Sequence, residues 1–210
     1  SITSLLRNTY PYLPVRFITG GGEKMDGVSS DTIQIFDVYG PTECTNDTTF
    51  FPVPLGQRLE NIPIGRTVAN CWNFIIDPFG RLLPDGMAGE LCFAGVQVGR
   101  GYWRLPERTA QSFGDCPFVS EDAYGRKVRM YHTGDLARWN PEGNLEYLGR
   151  IDFQVKLRGF RIELGEIESK AMAIEGVRHT LAKVVKIDDD DHLVIYYVGD
   201  IDEDTLLKGL

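Results

Sequence analysis

Asp37-Val38-Tyr39-Gly40-Pro41-Thr42-Glu43 reads as a strand end followed by an aromatic ring, a forced turn, a hydroxyl and a carboxylate. A flat ring can stack on a base, a hydroxyl can donate to a phosphate, and a hard carboxylate can hold Mg²⁺ against phosphate oxygens. The same residues also suit a plain surface turn, with Thr42 as a helix cap and Glu43 as the first-turn acid that a helix dipole favours. Just upstream, Val15 to Thr19 and Ile33 to Val38 are short apolar runs that end in glycine-bearing or polar loops. Strands of an α/β sheet do this where their carboxyl ends carry a ligand site, so both runs are expected to belong to a larger sheet.

From about Phe50 the texture changes to short β-prone runs separated by turn signals: Asn73 to Ile76, Asp77-Pro78-Phe79-Gly80, Pro84-Asp85-Gly86, then Gly89 to Ala94. The pattern predicts a small barrel or sandwich. Pro106 opens an expected helix to Phe113, with Ala110 and Phe113 spaced to face a core. Asn140-Pro141-Glu142-Gly143 turns a hairpin between Leu136 to Trp139 and Leu145 to Leu148. Beyond Gly149, Phe153 to Leu157 alternates, and Ile167, Ala171 and Ile174 fall at helical spacing before Gly176. Leu181 to Ile187 and Leu193 to Val198 read as strands, and Asp202 caps a further helix. The whole predicts an α/β part over 1–49, a β-barrel-like part over 50–150 and a β-α-β-β, α+β part over 151–210.

Thirty acidic against twenty-two basic side chains give a formal net charge of -8, concentrated in Asp188 to Asp191 and beyond Gly199. Such a field repels nucleic acid and anionic membranes. The Asp run lacks the alternating ligands and closing Glu of a calcium loop and reads as a solvated turn between strands. Cys44, Cys71, Cys92 and Cys116 are too far apart for a zinc or redox motif, so four buried free thiols in a reducing cytoplasm are expected. His132, His179 and His192 have neither metal spacing nor a nucleophilic-serine partner motif and read as packed or surface histidines. Gly20 to Met25 lacks the ending of a P-loop, and Gly95, Gly99 and Gly101 have reversed spacing for a dinucleotide fingerprint. Ser1-Ile2-Thr3-Ser4 is not a basic region followed by an apolar core, and no apolar run approaches membrane length, so neither a signal peptide nor a membrane span is expected in these residues.

Three further segments decide how Asp37 to Glu43 is read. These are Gly89-Glu90-Leu91-Cys92-Phe93-Ala94-Gly95 with Gly99-Arg100-Gly101-Tyr102-Trp103, then Tyr131-His132-Thr133-Gly134-Asp135-Leu136, then the run from Gly149 to Glu168. With Gly21-Gly22-Glu23 they resemble, in the correct order, motifs of the adenylate-forming superfamily, specifically the adenylation domains of nonribosomal peptide synthetases. The resemblance implies the C-terminal part of the large adenylation subdomain, a sheet edge and a small β-barrel, followed by an incomplete small α+β subdomain. It implies amino-acid activation by ATP with Mg²⁺, giving aminoacyl-AMP and pyrophosphate, then transfer to the phosphopantetheine thiol of a peptidyl carrier protein.

By that resemblance Tyr39 stacks on adenine, Asp37 accepts from its exocyclic amine, and Gly21, Gly22 and Glu23 close the base pocket beside Gly40. Thr42 touches the α-phosphate and Glu43 ligates Mg²⁺. Asp135 accepts both ribose hydroxyls, since a carboxylate offers two oxygens to a vicinal diol, and Arg150 adds a donor. Asp152 is the implied hinge and Gly159 lines the carrier-arm passage. Thr19, Gly21, Val38, Asn46 and Asp47 line the side-chain pocket, with Asp47 favouring a basic or hydrogen-bonding amino acid. Asp37 departs from the family's usual Asn; both offer an oxygen acceptor, but an ionised Asp is less welcome near phosphates.

An acyl- or aryl-CoA ligase shares the nucleotide motifs, whereas Glu163 to Glu168 and the wording of Tyr39 to Glu43 favour the peptide-synthetase branch. A non-catalytic nucleotide-binding or docking fragment, contacting a partner through its acidic tail, is the alternative outside enzymes. The family's glycine- and hydroxyl-rich phosphate loop and its late lysine fall outside these 210 residues. The expectation is therefore that a polypeptide of these residues alone binds nucleotide weakly without turnover; ATP–pyrophosphate exchange well above background with any amino acid would overturn it.

Overall fold

The computed structural model describes residues 15–22, 25, 27–151, 154–157, 160–188 and 190–210, and the chain divides into two compact units between Ile151 and Asp152. In the first, β1 (Phe17–Gly20) runs parallel to β2 (Gln34–Tyr39). β2 then pairs antiparallel with β3 (Thr49–Val53), and β3 with the short β4 (Arg66–Thr67). Both strands expected upstream of Gly40 are present, shifted by one or two residues. Beneath this sheet Met25, Val28, Ile35, Val53 and Ile62 form one buried cluster.

A second sheet holds β5 (Cys71–Ile76), β6 (Gly89–Gly95), β7 (Phe113–Asp115), β8 (Arg129–Trp139) and β9 (Leu145–Arg150). Its order is β5-β6-β8-β7, with β9 also on β8. β8 is the central strand: β6 runs along one edge, while β7 takes its first residues and β9 its last on the other. The β-strands after Phe50 do not close into the expected barrel among the described residues. β5 bounds the sheet on one side, and β7 and β9 together bound it on the other.

β6 shows why this sheet is central. Leu91 and Phe93 enter a core with Tyr39, Ile75, Tyr131, Ala137 and Leu145. Cys92 and Ala94 enter a second core with Ile76, Cys116, Val128 and Met130. Alternate side chains point to opposite faces, so a strand apolar at both parities is buried on both. Tyr39 in the first of these cores ties the end of β2 to the inner face of the second sheet.

The turns follow one local design. Asp77 Oδ1 accepts the N–H groups of Phe79 and Arg81, and Asp122 Oδ1 accepts those of Tyr124 and Arg126. Asn140 Oδ1 accepts Asn144 N–H in the hairpin between β8 and β9, as its sequence predicts. Each turn closes on a glycine at positive φ, namely Gly80, Gly125 and Gly143, which a residue without Cβ adopts at little cost.

The helix α1 (Pro106–Ser112) starts at the expected proline, but Ala110 is not buried and neither is any other residue of the helix. Only Phe113, which opens β7 instead of closing the helix, reaches the core. Of the four thiols, Cys44, Cys92 and Cys116 are buried and free, whereas Cys71 is half-buried, short of the expectation. Burial raises the Cys44 thiol to about 12, with the Glu43 charge adding to the effect.

In the second unit β10 (Gln154–Leu157) pairs with β11 (Phe160–Glu163), and α2 (Leu164–Met172) follows directly. A hairpin of β12 (Val177–Ile187) and β13 (Asp190–Gly199) packs on α2, whose Glu168 accepts Ala182 N–H at 2.8 Å. α3 (Glu203–Gly209) is capped by Asp202, whose side chain accepts Thr205 N–H at 2.9 Å, as predicted. The order is therefore β-β-α-β-β-α; the expected single strand before the helix is a hairpin. Among the described residues no helix is long and apolar enough to cross a membrane.

Gly40 sits where the end of β2 meets the backbone that leads into β3. A Cβ there would lie 1.5 Å from the backbone oxygen of Asn46 and 2.8 Å from Thr48 N. Gly40→Ala is expected to cost at least the upper end of about 1–3 kcal/mol typical of overpacking, read as a lower urea midpoint at unchanged slope.

Candidate functional site

Asp135 occupies the middle of β8 and is buried, 3% exposed. Three groups fix it. Across the ladder, Arg150 of β9 is its register partner and donates from Nη1 to Asp135 Oδ1 at 2.9 Å and to Thr133 O at 3.0 Å. From β2, the Tyr39 hydroxyl donates to Asp135 Oδ2. Thr133 Oγ1 accepts the Asp135 N–H at 2.9 Å and itself donates to Leu91 O at 2.6 Å. The carboxylate is thus aimed by β2, β6 and β9 together.

Tyr39 is 8% exposed, with its ring flanked by Phe93 and Tyr147 at 6.1 and 6.0 Å between centroids. Burial first, then the Asp135 charge and hydrogen bond, raise the phenol well above its ordinary range, so it remains the donor. Asp37 lies two residues earlier on β2, on the same face and buried. The residues expected at the base and at the sugar are therefore in direct contact with one another, and the Tyr39 ring is packed against aromatic neighbours.

Beyond Tyr39 the chain turns at Gly40-Pro41 into a single 3-10 turn, Thr42–Cys44. Thr42 is its first residue, with Pro41 in the cap position, and is exposed; Cys44 anchors the turn in the core. The Glu43 carboxylate accepts from Tyr102 OH at 2.8 Å, and Glu43 O accepts Gly99 N–H at 2.8 Å. The Gly99 to Trp103 loop thus holds Glu43 by side chain and by backbone. The Glu43 carboxylate is a hard oxygen donor, the ligand type that Mg²⁺ takes, so its chemistry fits a Mg²⁺ ligand.

Of the positions expected to line a side-chain pocket, Gly21 packs on Val38, where a Cβ would meet the Val38 oxygen at 2.3 Å. Thr19 is exposed on β1, and Gly22 is exposed beyond it. Asn46 and Asp47 are exposed and joined by a 3.1 Å side-chain hydrogen bond. Glu23, Asp152 and Gly159 lie outside the described residues.

Sequence reading did not assign Thr133, Tyr102 or Tyr147. The first two sit inside quoted motifs, where a buried threonine before an acid and a tyrosine after paired glycines were the available signals. Tyr147 is legible only once β9 is placed beside β8. His132, expected as a packed or surface residue, is partly buried and lies 3.1 Å from Glu90 Oε2, whose hydrogen bond raises its pKa against the opposing effect of burial.

The description "AMP-binding enzyme" matches residues 12–103. Tyrocidine synthase 1 of Brevibacillus parabrevis is 43% identical over 174 residues, 80% of this chain and 15% of that protein. Bacitracin synthase 1 of Bacillus licheniformis is 39% identical over 213 residues, 94% of this chain and 4% of that protein. The chain therefore spans a small part of the length of these relatives. Among solved structures, PA1221, an NRPS protein containing adenylation and PCP domains, superposes with a TM-score of 0.74 at 29% identity, covering 93% of this chain and 41% of that one. IdnL1 does so with a TM-score of 0.75 at 26% identity, covering 92% and 41%.

Removing the carboxylate takes away the ion-pair partner that Arg150, whose side chain is 12% exposed, meets at 2.9 Å, together with the acceptor of the Tyr39 hydroxyl. Asp135→Ala is expected to destabilise by about 3–5 kcal/mol, measured by chemical denaturation.

Proposed function

Because residues 12–103 match the AMP-binding enzyme family, we propose that this chain forms the nucleotide-handling part of an amino-acid adenylating ligase. In that reaction a carboxylate oxygen of the amino acid attacks the α-phosphorus of ATP, pyrophosphate leaves, and the aminoacyl group then passes to a phosphopantetheine thiol on a peptidyl carrier domain. The reading rests on one observation, the meeting of Tyr39, Asp135 and Arg150, which are far apart in sequence, in one buried hydrogen-bonded group of the first unit. The similarity to two much longer synthases and to an adenylation–PCP protein supports assigning the whole reaction to a longer protein of this kind.

In this reading Asp135 receives the ribose hydroxyls, with Arg150 orienting the carboxylate. The Tyr39 hydroxyl holds Oδ2 when no nucleotide is present, so the sugar takes over that acceptor and the phenol moves aside to offer its ring to adenine. Asp37 accepts from the exocyclic amine, and Gly21 and Gly22 admit the base by lacking side chains. Thr42, exposed at the start of its turn, meets the α-phosphate. Glu43, steadied by Tyr102, is the ligand for Mg²⁺, which when bound would offset the charge building on the departing pyrophosphate. Thr19, Val38, Asn46 and Asp47 face the amino-acid side chain, Asp152 serves as hinge, and Gly159 borders the carrier arm.

The test is calorimetric titration of the chain with ATP in the presence of Mg²⁺. Saturable binding is expected, and Asp135→Asn, which keeps shape and loses charge, should weaken it by about ten- to a hundredfold, the worth of a hydrogen bond to a charged group. Tyr39→Phe keeps the ring, removes the competing hydroxyl, and should bind at least as tightly as the parent chain. Equal affinity of Asp135→Asn and the parent, with unchanged circular dichroism, would refute the ribose assignment.

A further inference from the structure

On the face of β6 and β8 opposite Tyr39 and Asp135, three ligand atoms converge. Glu90 and Cys92 alternate to the same side of β6, and Cys92 faces His132 directly across the ladder to β8. His132 Nδ1 lies 3.1 Å from Glu90 Oε2 and 3.5 Å from Cys92 Sγ, and the three ligand atoms all fall within 4.8 Å of one another. A tetrahedral ion with Zn–S of about 2.3 Å and Zn–N or Zn–O of about 2.0 Å sets its ligand atoms roughly 3.3–3.6 Å apart. The two measured separations are close to edges of such a tetrahedron. Cys92 is fully buried, while the His132 and Glu90 side chains are 36% and 23% exposed, so the group opens to solvent on one side.

We propose that Glu90, Cys92 and His132 form a binding site for a zinc-like divalent cation, with a fourth position left for water or an added ligand. The donor set is one sulfur, one imidazole nitrogen and one carboxylate oxygen, which suits Zn²⁺ and excludes a preference for Mg²⁺ or Ca²⁺. On binding, the Cys92 S–H proton passes to solvent, the thiolate forms the metal–sulfur bond, and the ion gives up coordinated waters. The site is separate from the Mg²⁺ role of Glu43, because its three residues lie on the other face of the sheet.

Its consequence is positional. Glu90 Oε1 accepts Gly134 N–H at 3.1 Å, and Gly134 directly precedes Asp135. A cation held by Glu90, Cys92 and His132 staples β6 to β8 at the residues flanking that turn and so fixes the backbone that presents Asp135. Without a cation, the same group is an ordinary His–Glu pair beside a thiol.

The chain, stripped of metal by a chelator, is titrated with Co²⁺, whose thiolate charge-transfer band reports sulfur ligation and whose intense visible bands report tetrahedral geometry. Expected are saturation of both at one equivalent, displacement by Zn²⁺, and a higher melting temperature with either ion. His132→Gln, at a partly exposed position, keeps the fold by circular dichroism and lowers Co²⁺ affinity by about 100-fold or more, since outer partners of metal ligands alone cost 10–100-fold. Cys92→Ala removes the charge-transfer band and Cys71→Ser leaves it. The proposal is overturned if no thiolate band appears by one equivalent, if Cys71→Ser abolishes the band, or if His132→Gln binds Co²⁺ as the parent does.

Discussion

A buried carboxylate must be matched by a cation and by donors, or the fold that buries it is penalised by several kcal/mol. Asp135 imposes that condition on the first unit. Arg150 supplies the charge from β9, Tyr39 supplies a hydroxyl from β2, and Thr133 turns the peptide so that the side chain faces both. Three segments separated by more than a hundred residues at their extremes are therefore held in register by one anion. The apolar core around Tyr39, Phe93, Tyr131 and Leu145 contributes the bulk of the burial, and the ionic group selects which arrangement of that core is allowed.

Glycine does the complementary work where backbones meet. Gly40 lies against the Asn46 to Thr48 backbone, Gly21 against Val38, and Gly99 against the Glu43 carbonyl. Each is a place where two backbone segments of the candidate site meet with little room for a side chain. The exposed groups Thr42, Asn46 and Asp47 are presented from a turn braced in this way, with Cys44 buried beneath it.

The parts of the fold that could be read in the sequence are those with local causes. The Asx-type turns at Asp77 and Asn140 write their own hydrogen bonds within five residues, and the hairpin between β8 and β9 follows from the second of them. Asp202 announces its helix in the same way. What escaped depends on distant partners. Closure into a barrel is decided by which strands find each other, and β8 satisfies both its edges without closing. α1 has helical spacing but no element that buries it, so Ala110 stays short of the core. For the site, the individual residues were legible as motifs, but not the bond between Tyr39 and Asp135, because a list of roles says nothing about which roles contend for one oxygen atom. His132 looked inert for a similar reason: its neighbours are on another strand, and spacing along one chain segment cannot register them.

β8 is where these constraints accumulate. Tyr131, Thr133 and Asp135 point to one side and Met130 and His132 to the other, with two different cores beneath. Strand parity keeps the two sides apart: a slip of the whole strand by one residue would exchange them, driving an anion into the sulfur-rich layer and an imidazole toward the tyrosine layer. Swapping one side chain on this strand therefore disturbs a single layer, whereas a frame slip disturbs both at once.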